Sequence, residues 1–295
     1  MPDLTCAGLT DRALLRIGGP EAVPFLNALV SNSVDRVAPG RAVYAALLSP
    51  QGKFLHDFLV AAAPGPEAGL LLDVAAGRRA DLKRRLTLYR LRSKVEIADA
   101  DWQGFALFGG DAAPAAPEGG VLFADPRLPA LGWRLWLPPG TECAIGRPGS
   151  PEDYERHRLA LGVPDGARDI EIDKGLLLEN HFEALNGIDF RKGCYIGQEL
   201  TARTKYRGLV KKQLYRVMAA GGKTLPPAGT PVTLEGREAG ELRSSLGNTG
   251  LALLRLDAVA AAGRDGRKPE AAGLALLPQR PEYAPPLPEP ENEKT

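Results

Sequence analysis

The sequence predicts an α+β fold that ends in a small all-β domain. Three observations carry this. Strand-like and helix-like apolar periods alternate up to about residue 214, short strands separated by turns take over from Tyr215, and from Pro278 the chain becomes Pro- and Glu-rich. With 295 residues there is room for two or three domains, and for a core that needs no disulfide or metal staple.

Residues 13–17 read as a strand closed by the turn Gly18-Gly19. Pro20 suits the first turn of a helix, because its missing N–H has no intrahelical partner there, and Val23, Leu26, Leu29 and Val30 then follow the helical period. Residues 42–48 form a buried strand, Ser49-Pro50-Gln51-Gly52 a turn, and residues 54–61 a second strand, together a hairpin with Gly52 in its loop. Residues 69–74 add a strand, followed by a helix with Leu82, Leu86 and Tyr89 on one face. The Ala-, Pro- and Gly-rich residues 111–120 read as a surface loop, and a β-like region with Trp133 and Trp136 comes next. Ser150-Pro151-Glu152-Asp153 is a helix start, with an N-cap serine, proline at N1 and an acid at N3. That helix ends near Gly162, with Pro164 beyond it. In the last part, strands at 217–219, 231–234, 240–244 and 252–255 predict a small β-barrel or sandwich. Three regions follow: 1–214, 215–277, and a tail at 278–295 expected to be disordered.

Composition narrows the function. Hydrophobic residues at 44% and charged residues at 25% are ordinary for a soluble globular protein, and a net charge of +1 argues against a polyanionic partner. Cys6, Cys143 and Cys194 are far apart and form no C-x-x-C pair, so no structural zinc and no self-contained iron–sulfur site is expected, and a reducing, cytoplasmic location fits. No basic leader and no apolar run approaching about 18 residues is present, so neither a signal peptide nor a membrane contact is expected. Phosphate-loop, zinc-protease, serine-hydrolase and dinucleotide fingerprints are absent, and three histidines (His56, His157, His181) make a histidine metal site improbable.

Charge is uneven. Arg78, Arg79, Lys83, Arg84, Arg85, Arg90, Arg92 and Lys94 stand against Asp81 alone, and Arg191, Lys192, Arg203, Lys205, Arg207, Lys211, Lys212 and Arg216 against Glu199 alone. These are either solvated faces or two walls of one cleft for an anion. Nucleic acid is a possible but not favoured partner, because few aromatics are interleaved for stacking.

The segment richest in chemistry is Lys192-Gly193-Cys194-Tyr195-Ile196-Gly197-Gln198-Glu199. Gly193 and Gly197 frame Cys194 and let the backbone bend or approach a ligand. Arg191 and Lys192 are placed to lower the thiol pKa. Two readings stay open: a reactive thiol, or a buried cysteine acting as a small hydrophobe in a tight turn.

That octapeptide closely resembles the signature of the YgfZ family, folate-binding proteins related to the T protein of the glycine cleavage system, a family that includes mitochondrial iron–sulfur assembly factors. The hairpin at 44–60, the basic segment 88–95, Leu178-Glu179-Asn180, and residues 239–242 and 251–255 are also similar to family segments. The resemblance implies a three-lobed folate-binding fold with a C-terminal small β-barrel, and two interleaved lobes in 1–214. It implies tetrahydrofolate or a derivative as cofactor. By position, Asp57 and Glu179 match the carboxylates that serve the folate, the basic stretches around Arg90 and Arg203 suit its glutamate tail, and Lys192, Tyr195 and Gln198 of the signature join the cofactor-binding set. Cys194 is the group implied to act, as nucleophile or transient ligand. Where the T protein has two adjacent acids on the hairpin, His56 replaces the first.

The implied function is a tetrahydrofolate-binding factor supporting assembly or repair of iron–sulfur clusters, with iron–sulfur client or assembly proteins as partners. The alternatives are a folate-dependent aminomethyl (one-carbon) transferase, and a binding protein associated with tRNA modification.

Overall fold

The computed structural model describes residues 4–65, 69–110 and 112–286. Two five-stranded sheets share one core, and a closed six-stranded barrel follows them. The first sheet runs in the order Arg147–Gly149, Thr5–Gly8, Gln103–Phe108, Trp133–Leu137, Val121–Ala124. The second runs Val43–Leu48, Phe54–Ala62, Gly69–Ala75, Arg12–Gly18, Glu96–Ala100. The chain therefore starts in the first sheet, leaves to build the second, and returns. Cys6 lies opposite Leu107 in an antiparallel pair and opposite Pro148 in a parallel one.

The hairpin Val43–Leu48 and Phe54–Ala62 is buried on both faces, which is why its sequence is nearly all apolar. Tyr44, Ala46 and Leu59 face the core shared with the first sheet, while Val43, Ala45, Phe58 and Val60 face the helices on the other side. The same alternation sends the neighbours His56 and Asp57 to opposite faces. The helix Arg79–Arg90 covers the outer core with Leu82 and Leu86. Tyr89 was expected on that face but is 38% exposed, because it lies in the helix's last turn where the chain departs from the sheet. The helix after Pro20 spans Ala22–Asn27 with Glu21 as N-cap, so Pro20 precedes it. Pro151–Leu161 starts at the expected capping box: the Asp153 N–H donates to Ser150 Oγ at 3.1 Å, and the Ser150 N–H donates to Asp153 Oδ2 at 2.8 Å. It ends at Gly162, whose φ of 75° favours glycine.

Of the two architectures left open for the C-terminal part, the barrel is the one found. Its order is Lys212–Ala219, Thr249–Arg255, Arg237–Leu246, Pro231–Leu234, Glu270–Ala271, Leu274–Gln279, closed by pairing of the first strand with the last. The last two strands and the helix Leu256–Asp265 go beyond the four strands expected from the sequence. Pro278, the expected start of a disordered tail, instead lies opposite Val217 inside the closing strand. Beyond it the Tyr283 hydroxyl donates to the Gly162 carbonyl at 2.7 Å. Averaging composition over 278–295 hid the apolar anchor Tyr283; residues 287–295 lie outside the described residues.

His181 locks the central segment to the barrel: its Nε2–H donates to the Leu214 carbonyl at 2.8 Å, and its ring meets Tyr283 edge-on. Burial pulls its pKa down to about 4 from the usual 6.5. The unfolded chain thus takes up a proton near 6.5 that the native state refuses until about 4, so this stability is complete above 6.5 and is lost as pH falls towards 4. At about pH 5 the loss from this one group is about 2 kcal/mol. Urea titrations at about pH 7 and about pH 5 test this, with the acid loss in His181→Gln smaller by about 2 kcal/mol than in wild type.

Candidate functional site

Two features stand out: a central cavity, and the loop that carries Cys194. The cavity has a volume of about 250 Å³. The second sheet contributes Arg12, Tyr44, Asp57 and Asp73 to its wall, the first sheet Arg134, and the helix Pro151–Leu161 Tyr154 and Arg158. Its charges are held in pairs. Arg12 donates to Asp73 at 2.6 Å, and Arg158 to Asp169 at 2.8 Å and Glu155 at 2.6 Å. Arg127 and Arg134 converge on buried Asp125 at 2.7 and 3.0 Å, and both also donate to the Tyr154 hydroxyl. Burial pushes the Asp125 carboxyl up, but the two guanidinium charges and the bonds from Arg127 outweigh this and hold it well below the usual carboxylate range.

Asp57 presents its carboxyl to this cavity. Tyr44 Oη donates to it at 2.9 Å, and it is pressed against Gly166, where a Cβ would lie 2.1 Å from Oδ1. Burial raises its pKa, opposed by the Arg12 charge and the Tyr44 bond. His56 faces the other way. It is buried against Asp81 at 2.9 Å, and burial lowers its pKa to about 4, so it is neutral at ordinary pH and takes no part in the cavity.

The Cys194 loop is pinned on both sides. Lys192 turns inward and donates to the carbonyls of Asn27, Val30 and Asn32 at 2.6, 2.6 and 2.9 Å, with its ammonium 5.3 Å from the Tyr195 ring centre. Burial lowers its pKa to about 8. The Tyr195 ring is buried, and its N–H donates to Gln198 Oε1 at 3.2 Å. Gly197, at φ 77°, lies against the hairpin turn, where a Cβ would stand 2.5 Å from the Ser49 carbonyl and 2.8 Å from Gly52. Between these anchors Cys194 is exposed, and a Cβ on Gly193 would meet nothing within 4 Å. Of the two readings of Cys194, the buried hydrophobe is therefore excluded.

Of the residues expected to hold a cofactor, only Asp57 lines the cavity. Glu179 sits on the turn Leu178–Asn180, where burial raises its pKa against the charges of Lys212 and Lys53. Arg90 is the exposed last residue of the helix Arg79–Arg90, and Arg203 pairs with Glu199 at 2.7 Å. Lys192, Tyr195 and Gln198 shape the thiol loop: the three protons of Lys192 are taken by carbonyls, so it offers none to a ligand or to the thiol. The two basic stretches do not wall one cleft. In the first, Arg78, Arg84 and Arg85 pair with Asp81 and Arg79 and Lys83 with Asp99, and the arginines that do line the cavity (Arg12, Arg127, Arg134, Arg158, Arg168) come from elsewhere. Their one signal in the sequence is a charge inside an apolar strand, as in Trp133-Arg134-Leu135-Trp136. Among the described residues no group of three or more His, Cys, Asp or Glu side chains is placed to hold a metal ion, and no helix is long and apolar enough to cross a membrane.

Comparison with known proteins adds the following. The model of the CAF17 C-terminal beta-barrel domain matches residues 211–286, running beyond the boundary expected at 277. The fold matches the crystal structure of glycine cleavage system aminomethyltransferase T from Bartonella henselae with a TM-score of 0.74, covering 96% of this chain and 87% of that one, at 16% identity. The mitochondrial iron–sulfur cluster assembly factor IBA57 of Homo sapiens is 35% identical over 84% of this chain and 77% of its own length. Its homolog in Pyricularia oryzae is 34% identical over 84% and 71%. Both relatives are named as mitochondrial, whereas a cytoplasmic location was expected from the sequence. On these matches the wider resemblance narrows, and the chain belongs to the family of IBA57 iron–sulfur cluster assembly factors.

Proposed function

We propose that this protein supports assembly or repair of iron–sulfur clusters in client enzymes, with Cys194 as the group that meets the cluster. The observation that carries this is the presentation of Cys194: an exposed thiol on a loop fixed by Lys192 before it and by Tyr195, Gly197 and Gln198 after it. A fixed thiol meets a partner without first paying the entropy of ordering its loop. One thiolate cannot hold a cluster, so Cys194 supplies one ligand while an assembly or client protein supplies the rest. In a strain lacking this protein, Cys194→Ala is expected to leave iron–sulfur enzyme activities at the level of the deletion. Full restoration by that variant would sink the proposal.

The same reading places tetrahydrofolate or a derivative in the central cavity. A volume of about 250 Å³ suits one ring system, with the remainder of the ligand reaching the mouth. Asp57 and the Tyr44 hydroxyl offer a polar edge for a pterin, and Arg168 at the rim suits a carboxylate tail. A bound tetrahydrofolate would supply a one-carbon carrier; this chain's part is to orient it. Calorimetric titration with tetrahydrofolate is expected to show binding by wild type and by Glu179→Ala, and weakening of about tenfold or more in Asp57→Asn. No binding by wild type removes the cofactor, and loss confined to Glu179→Ala removes the cavity assignment.

A further inference from the structure

The fold joins two of the three cysteines that stand far apart in the sequence. Cys6 lies in the strand Thr5–Gly8, with its side chain on the outer face of the first sheet among Leu107, Leu135 and Leu137. Cys143 lies in the loop between Trp133–Leu137 and Arg147–Gly149 and packs into the same cluster. The loop is fastened there independently of the sulfurs: the Arg147 N–H donates to the Leu4 carbonyl at 2.8 Å, and Arg147 Nε to Thr5 Oγ1 at 3.0 Å. Both thiols are free, and Cys143 packs against the apolar cluster that holds Cys6. We propose that Cys6 and Cys143 are a redox pair that forms a reversible disulfide by exchange with a low-molecular-weight disulfide such as oxidised glutathione.

The pair is asymmetric in the way that exchange requires. Cys143 is partly exposed, and the neighbouring Cys6 thiol draws its pKa down to about 7. Cys6 is buried, and both the contact with Cys143 and burial push its pKa up. Exchange is fastest for an accessible thiol whose pKa is near the ambient pH. The Cys143 thiolate attacks one sulfur of the disulfide, forming a mixed disulfide and expelling one thiolate, which takes up a proton. Cys6 then gives up its proton and attacks the Cys143 sulfur, forming the internal bond and expelling the second thiol. Two electrons pass from the pair to the small disulfide, which leaves as two thiols. The bond ties the N-terminal strand to the loop that leads into the cap of Pro151–Leu161, the helix carrying Tyr154 and Arg158 of the cavity wall. Cys194 lies outside this cluster and takes no part in the internal bond.

The test treats the whole folded protein with excess oxidised glutathione, blocks remaining thiols with N-ethylmaleimide, and reads intact mass and peptide maps. Wild type is expected to yield a Cys6–Cys143 cross-linked peptide, with glutathione only on the exposed Cys194 if anywhere, and to recover all its thiols with dithiothreitol. Cys194→Ala should form the same cross-link. Cys6→Ser should stop at a glutathionyl group on Cys143. Cys143→Ser, on a part-exposed loop, should form no cross-link, and it tests the pair even where the Cys6 variant fails to fold. Three thiols still free after oxidation, modification confined to Cys194, or a cross-link that persists in Cys143→Ser would overturn the proposal.

Discussion

Asp125→Ala is expected to abolish the folded state. Asp125 is 3% exposed and accepts from the Arg127 backbone, from both ends of the Arg127 guanidinium, and from Arg134. Both arginines are themselves buried. Removing the carboxylate strands two positive charges side by side in a low-dielectric wall, and losing one partner of a buried pair costs about 3–5 kcal/mol even for a single ion. Whole domains are stable by about 5–15 kcal/mol, so the variant has little margin left. The measurement is soluble yield together with thermal unfolding. The contrast is Glu199→Ala, which breaks an exposed helix pair with Arg203 and should change stability by less than about 0.5 kcal/mol. An Asp125→Ala protein that melted like wild type would show that the cavity wall does not depend on this triad.

Lys192→Met is expected to inactivate the protein although the Cys194 thiol is still present. The ammonium is a tripod on three carbonyls that come from one stretch, Asn27 to Asn32. Methionine keeps the apolar stem but leaves those carbonyls without their donor, at a cost of about 2 kcal/mol or more once partial access of water is allowed for. Arginine does not rescue, because a planar fork cannot aim three protons at one tripod. The loop carrying Cys194 then loses its upstream anchor. Complementation of iron–sulfur enzyme activity should fail as it does for Cys194→Ala, and a thiol reagent should still label Cys194, which separates misplacement of the thiol from its absence. Full complementation by Lys192→Met would mean that the loop is held by Tyr195, Gly197 and Gln198 alone.

Much of the fold was legible because it rests on local rules. The capping box at Ser150, the glycine stop at 162, the hairpin around Gly52 and the period-two strands of the barrel are each written in a few consecutive residues. The signature around Cys194 was legible as a motif, and the resemblance it carried reached iron–sulfur cluster assembly factors, while the matches narrow the family to IBA57. The roles inside it were not. The motif suggests ligand contacts for Lys192 and Gln198, whereas in the fold they bond backbone atoms, as far away as Asn27 in the case of Lys192. Sequence distance hides such bonds, because a side chain's nearest charges in the chain are rarely its nearest in space.

The amino-acid order by itself determined the alternation of elements, the barrel's strands up to residue 255, and the placing of one glycine-framed thiol, since these depend on backbone geometry and on the period of apolar residues. Only the tertiary structure decided the rest. It turned His56 and Asp57 to opposite faces of one strand, exposed Cys194 while burying Cys6, set Cys143 against Cys6, and built the cavity from arginines that no motif marks. Burial and long-range pairing govern whether a thiol reacts or a guanidinium can sit inside a core, and neither exists until the chain has closed on itself.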